Sequence, residues 1–461
     1  MGVMTGTPTT AIAPARRCAF AVLRRVFEHG AYADLALQSE AAGLDRRDRA
    51  LAMRLAYGAV QRKGTLDHLI GELAERPPQR LDPPVLAALR LGLYELLYLS
   101  GSPDRAVVAD AVELAKTQGR GGHGLVNAVL RRAGREGADA LLGALGDTTP
   151  ERAAVKHSHP EWIARLWWER LGADGARALM AYDNEPGEVA LRANTLVTDA
   201  ATLASDLHAT AVPTHLDPGL PEAVVLDGPL DVHDSPLWKA GAFHAQSRAA
   251  MHVARVLDPR SGERVLDLCA APGGKTTHLA ALMDGGGEVL AVERNRRRAG
   301  ELTRTAARLH AGNVRVEVGD AAADRGDRSF DRVLVDPPCS GLGTLQARAD
   351  LRWRVTPAAI NEMAQSQAAI LAAGASALRP GGVLVYSTCT ISSSENEHVV
   401  TTFLDSHADF SLDDLAPELP DFASGPPGTD RRDGTGMAGT VLTLPHRDRT
   451  AGFFIARLRR S

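Results

Sequence analysis

The stretch Arg264-Val265-Leu266-Asp267-Leu268-Cys269-Ala270-Ala271-Pro272-Gly273-Gly274-Lys275-Thr276-Thr277 runs from five strand-like residues through a cluster of small ones into the start of a helix. Four later runs repeat the strand signal: Glu288–Val292, Val314–Val318, Arg332–Val335 and Val383–Tyr386, with helical runs such as Ala299–His310 and Ile360–Leu378 between them. Short β-branched runs bounded by turn residues read as strands buried on both faces, and their alternation with helices specifies a mainly parallel, doubly wound sheet. Such sheets bind ligands at the carboxyl ends of their strands.

What stands at those ends carries the chemistry. Small residues after the first strand let the backbone approach a ligand that faces the helix N-terminus. The turn is not a P-loop, which would need Gly at Cys269, and it lacks the spacing GxGxxG. Glu293 follows the second strand, 26 residues beyond Asp267, where doubly wound nucleotide sites place a ribose-binding acid. Asp320 ends the third strand and Asp336 the fourth. Acids at four successive ends suit two ribose hydroxyls, an adenine amino group and a cationic methionine moiety, which together make S-adenosylmethionine. NAD, the alternative, would want the diphosphate fingerprint that is missing. Two of the four cysteines follow strands as well, in Asp336-Pro337-Pro338-Cys339-Ser340-Gly341 and Ser387-Thr388-Cys389-Thr390. Two thiols at one ligand crevice suggest covalent chemistry.

The 461 residues exceed one ordinary core, and a 44% hydrophobic content is that of a folded protein. Residues 1–13 read as a flexible tail, 14–145 as an all-α domain, 150–215 as a small α+β connecting domain and 216–461 as the α/β domain. In the helical part apolar residues recur at Phe20, Leu23, Val26 and Phe27, at Leu51, Leu55 and Val60, and at Leu86, Leu89, Leu93 and Leu97. Trp162, Leu166 and Trp167 read as core, as does Cys18. Residues 411–436 read as a loop, and Gly439–Leu444 with Gly452–Arg459 as a terminal hairpin. No membrane span, signal peptide, myristoylation site or zinc-type cluster is legible, so a cytoplasmic monomer with reduced thiols is expected. Net charge is −4, but residues 1–150 hold 19 Lys and Arg against 16 Asp and Glu. Arg46, Arg47, Arg49, Arg54, Arg62 and Lys63 cluster there, either as a phosphate-contact surface or as a solvated helix face.

At the two cysteine turns and the glycine turn the chain resembles the bacterial ribosomal RNA small-subunit methyltransferase B family, within the wider Sun group of RNA cytosine-5 methyltransferases. The matching stretches are Leu266–Lys275, Val335–Gly341, Val385–Thr390, Glu395-Asn396-Glu397 and Gly452–Leu458. The helical domain resembles the NusB-like RNA-binding domain, notably at Asp48–Arg62. The resemblance implies a Rossmann-like class I methyltransferase fold and 16S ribosomal RNA as partner, free or within a small-subunit particle. It also implies that Cys269, Ala270, Ala271, Pro272, Gly273, Gly274, Lys275, Glu293, Asp320 and Asp336 bind S-adenosylmethionine, with Cys389 as nucleophile and Cys339 assisting product release. Two departures are visible: Ala349 stands where the family usually has proline, and Gln246-Ser247-Arg248-Ala249 replaces a more usual Gln-Asp stretch.

The residue types suit that chemistry. Cytosine C5 is too weak a nucleophile until a thiolate adds to C6 and makes C5 an enamine carbon. Asp336 suits the cytosine amino group or N3, and Lys275 suits orienting Asp336 or offsetting its charge. Amino-group methyltransferases commonly carry an aromatic after the two prolines; Cys339 there argues for carbon methylation. Two other readings remain at this level. One is a non-catalytic RNA-binding or antitermination factor; the other is a DNA cytosine-5 methyltransferase, whose nucleophile would be the Pro-Cys cysteine.

Overall fold

Helices in the first part of the chain begin and end at their punctuation residues. Pro14 opens the helix Pro14–His29, and Gly30, left-handed at φ 65°, closes it. Asp45 accepts the Asp48 N–H and caps Arg46–Gln61. With Lys63–Ala74, Pro83–Tyr98, Asp104–Gln118 and His123–Glu136 these helices bury the periodic apolar positions, Leu23, Leu55, Val60, Leu89 and Leu93 among them, in one core that includes Cys18. Trp167 is wholly buried in the longer helix Glu161–Tyr182. The computed structural model describes residues 12–118, 121–326, 328–422 and 436–461, so the expected tail lies outside the described residues except for Ile12 and Ala13. No helix among the described residues is long and apolar enough to cross a membrane.

The chain divides into two compact units, and the division is not a single point along it. The first holds residues up to Glu185 together with Leu345–Arg354; the second holds Pro186–Thr344 and Val355–Ser461. Ten residues that sequence reading assigns to the α/β domain therefore pack in the helical unit. Trp353 donates its indole N–H to Val60 O at 2.7 Å, and Ala349 is buried in the helical core. Arg352, wholly buried, donates to Ser158 O at 3.0 Å, Asn184 Oδ1 at 2.9 Å and Asp183 O at 3.1 Å. Burial lowers its pKa to about 10, which leaves it charged.

The second unit contains two sheets. The smaller is antiparallel in the order β2-β3-β1-β4, from β1 (Ala190–Ala193), β2 (Thr214–Leu216), β3 (Ala223–Leu226) and β4 (Phe243–Ala245). It continues past the boundary expected near residue 215, because β3 and β4 both pair with β1. The larger sheet uses β5 (Arg264–Leu268), β6 (Glu288–Glu293), β7 (Val314–Val318), β8 (Phe330–Val335), β9 (Leu378–Thr388), β10 (Phe410–Leu412), β11 (Val441–Leu442) and β12 (Phe454–Arg460).

Its order is β10-β12-β9-β8-β5-β6-β7, with β11 on β12; β9 through β7 run parallel, and the last-formed strands are antiparallel. The doubly wound expectation is borne out, as is the terminal pairing of β11 with β12. Two details differ. Leu378, expected to end a helix, begins β9, and Ser411 and Leu412, expected in a loop, pair with β12. Residues 423–435 of that loop lie outside the described residues.

Arg352→Met is expected to destabilise the first unit by about 3 kcal/mol, since it leaves buried carbonyls without a donor. Denaturant unfolding followed by tryptophan emission checks this, because four of the five tryptophans, all but Trp238, belong to that unit.

Candidate active site

The parallel registers fix which residues share an edge. Leu268 of β5 pairs with Val292 of β6 and Val335 of β8, and Val335 pairs with Tyr386 of β9. The residues one step further, Cys269, Glu293, Asp336 and Ser387, therefore form a row, and both cysteine turns follow from it.

At the first position the chain leaves β5 through Cys269, whose φ of 65° is left-handed. Gly273 opens the helix Gly274–Leu282 at φ 106°, a left-handed backbone that favours glycine, and a Cβ there would also press on Leu302 Cδ1 at 2.5 Å. The turn is tied from below by Thr276, whose hydroxyl donates to Asp267 Oδ2 at 2.6 Å, and from the side by Arg298, which donates to Ala271 O at 2.6 Å. Burial pushes the Asp267 carboxyl up to about 7 and the Cys269 thiol up to about 12, which keeps that thiol inert as a nucleophile.

Arg192 of β1, wholly buried, reaches across from the small sheet to Gly274 O, to Thr277 Oγ1 at 2.9 Å and to Gln246 Oε1 at 2.9 Å. Sequence reading missed this support. Gln246, one of the two departures, thus bears on the glycine turn, and Arg248 beside it pairs with Glu188 and Asp217.

Glu293 is buried at the end of β6, with Oε1 accepting the Asn295 N–H at 2.8 Å and Oε2 facing Arg298 at 3.5 Å. Asp320 stands exposed after β7 and accepts the Ala322 N–H at 3.0 Å. Asp336 is gripped on both oxygens: Lys275 Nζ donates to Oδ2 at 2.7 Å and Ser387 Oγ to Oδ1 at 2.9 Å. Burial works against the charge on Lys275, but Asp336 outweighs it and the pKa is raised; the ammonium also lies 4.9 Å from the centre of the Phe453 ring. A glycine cradle at a helix start, a buried carboxylate at the next strand end and an ion-paired aspartate beyond it fit S-adenosylmethionine.

Cys339 and Cys389 come together, their sulfurs 3.3 Å apart and both side chains half-buried. Hydrogen bonding to Cys389 holds the Cys339 thiol well above its ordinary range; burial and the charges of Cys389, Glu395 and Asp336 add to this. Cys389 O accepts the Gly343 N–H at 3.0 Å, and Gly343 O accepts the Gly452 N–H at 2.7 Å. At Arg46–Gln61 in the other unit, Arg46, Arg47, Arg49 and Arg54 are exposed and make no ion pair among the described residues. Arg62 lies over Tyr98 and Lys63 over Trp353, each at 4.7 Å, so the cluster is part surface and part packing.

Sheet order, glycine turn and edge acids define a methyltransferase catalytic domain, and residues 254–459 match the family model described as 16S rRNA methyltransferase RsmB/F. Residues 13–135 match the NusB family, and 159–233 the ferredoxin-like domain of RsmF/B-like methyltransferases. A probable ribosomal RNA small subunit methyltransferase B of Synechocystis sp. is 35% identical over 97% of this chain and 99% of its own. The ribosomal RNA small subunit methyltransferase B of Thermus thermophilus is 38% identical over 82% of this chain and 84% of its own. Among solved structures, that of PH0851 has a TM-score of 0.78 at 27% identity and covers 99% of both chains. The chain belongs to the ribosomal RNA small subunit methyltransferase B family.

Gly343→Ala would drive a Cβ to between 2.1 and 2.7 Å of the Gly452 backbone. Because both partners are main chain, the turn behind Cys389 must shift. A loss of about 1–3 kcal/mol is expected on thermal unfolding, together with a fall in methyl transfer larger than any change in S-adenosylmethionine affinity.

Proposed function

We propose that this protein methylates C5 of a cytosine in 16S ribosomal RNA through a covalent adduct between Cys389 and C6, acting in the cytoplasm. The observation that carries the reading is the thiol pair at 3.3 Å on the strand edge that also bears the Lys275–Asp336 pair. S-adenosylmethionine, held by residues 269–275, Glu293, Asp320 and Asp336, supplies an electrophilic methyl group on a sulfonium.

The chain's own residues do the rest. In this reading Cys339, whose thiol is held well above its ordinary range, keeps its proton, and Cys389, 3.3 Å away, is the sulfur that ionises. That thiolate adds to C6, and the displaced electron pair is delocalised over C5 and the ring amide. Asp336 accepts from the cytosine amino group, while Lys275, donating to its other side, holds the carboxylate aimed. Once C5 carries the methyl, its proton passes to solvent and the C6–S electron pair returns to Cys389. The Cys339 S–H again meets the departing sulfur, which restores the starting state. Exposed Arg46, Arg47, Arg49 and Arg54 supply phosphate contacts in the helical unit.

Cys389→Ala is expected to abolish both methylation and any protein–RNA adduct, whereas Cys339→Ala retains addition and accumulates an adduct with methylated cytosine. Denaturing gels with 16S ribosomal RNA and methyl-labelled cofactor separate the two. An adduct with Cys389→Ala and none with Cys339→Ala would instead make Cys339 the nucleophile, on the plan of the DNA enzymes. Glu293→Ala is expected to weaken S-adenosylmethionine binding by about 1.5–3 kcal/mol through loss of a charge-assisted acceptor; calorimetry checks it, and unchanged affinity removes Glu293 from the site.

A further inference from the structure

Behind the two cysteine turns lies a buried polar cluster that the reaction above does not use. Glu395 and Gln367 are wholly buried, and no cation pairs with the Glu395 carboxylate among the described residues. A carboxylate in that position is tolerated only if protons are aimed at it. Oε1 accepts the Ser340 N–H at 2.8 Å and an Nε2–H of Gln367 at 3.0 Å, and Oε2 accepts the Ser340 hydroxyl at 2.5 Å. Gln367 Nε2 also donates to Pro338 O at 2.9 Å, so both neighbours of Cys339 are gripped, one directly and one through Gln367. Tyr386 fixes the Glu395 backbone by donating to its carbonyl at 2.5 Å.

Asn396, the next residue, holds the other turn. Its Oδ1 accepts the Thr388 hydroxyl at 2.5 Å and its Nδ2 donates to Thr390 O at 2.9 Å, one contact on each side of Cys389. The turns are joined as well. With the Ser340 hydroxyl committed to Glu395, the Ser340 Oγ to Thr390 Oγ1 contact at 2.7 Å runs with Thr390 donating. Two adjacent residues thus hold the flanks of two thiols that are 50 residues apart in sequence.

We propose that Glu395 is a positioning residue for the thiol pair: by holding Pro338 and Ser340 it keeps the Cys339 S–H on the Cys389 sulfur during release. The inference rests on the methylation chemistry proposed above. A carboxylate is needed because all the groups facing it are donors. Glutamine would present an amide N–H₂ to one of them and break the directed run from Thr390 through Ser340. The negative charge has a second effect, since it adds to the hydrogen bond and burial that oppose ionisation of Cys339.

The test compares the full-length protein with E395Q, C339A and the double variant, using 16S ribosomal RNA transcript and methyl-labelled S-adenosylmethionine. E395Q is expected to melt a few degrees lower yet stay folded at the assay temperature, to keep its S-adenosylmethionine affinity and RNA KM, to lose about tenfold in kcat, and to accumulate covalent adduct. The alkaline limb of its pH–rate profile should move to lower pH, because the Cys339 thiol loses a charge that holds it protonated. In the C339A background the same substitution should cost no more than about twofold. Equal losses in both backgrounds, or full turnover without adduct, would overturn the role. Should E395Q fail to fold, S340A, which removes one hydroxyl and leaves the carboxylate, is expected to trap adduct in smaller amount; turnover like that of the unsubstituted protein would then overturn the proposal. If C339A itself traps nothing, the covalent methylation reading falls, whereas a trapping C339A beside an unaffected E395Q removes Glu395 alone.

Discussion

The pairing of β8 with β9 is the constraint on which the site depends. Val335 lies opposite Tyr386, so Asp336 and Ser387 leave the sheet side by side and the next turns carry Cys339 and Cys389 to the same place. In a strand pair the side-chain period is two, and a slip of one residue would send one turn's side chains to the opposite face. The register is protected because both strands are buried: Val333, Leu334 and Val335 face Leu384, Val385 and Tyr386 with almost no exposure. Apolar burial in the sheet interior thus sets a sulfur–sulfur distance at its edge.

Charge at that edge is arranged around few cations. Lys275 is the ammonium that meets Asp336, with an aromatic ring behind it. Asp267, nearer the interior and bonded to a hydroxyl rather than a cation, is pushed up to about 7 by burial. The two neighbouring carboxylates thus have different partners, a cation for Asp336 and a hydroxyl for Asp267.

How much of this was legible in the sequence follows from how local each signal is. β5 and β7 are bounded as their apolar runs suggest, and the glycine turn, Glu293, Asp336 and the two cysteines stand at strand ends, because period and turn residues act over a few positions. Arg192, Gln367 and Glu395 were not found, since an isolated charged or amide residue gives no pattern until the chain has brought its partner carbonyls and donors to it. Glu395 was visible only as part of a resemblance. Leu345–Arg354 was misassigned for a related reason: it lies between two elements of the α/β domain, and what draws it elsewhere is a set of carbonyls at Val60, Ser158 and Asp183 that sequence cannot display. The small sheet was cut short near residue 215 because its later strands look like those of the larger sheet.

The placement of Leu345–Arg354 also bears on biosynthesis. A nascent chain emerges from its N-terminus, and Glu185, where the first stretch of the helical unit ends, is made well before Arg352. At roughly 5–20 residues per second the interval is on the order of 10–30 seconds, during which Ser158 O, Asp183 O and Val60 O lack the donors that later occupy them. The helical unit must tolerate that interval with those carbonyls hydrated. Any attempt to express it by truncating after Glu185 makes the same state permanent, so a faithful fragment would have to graft the Leu345–Arg354 segment back on.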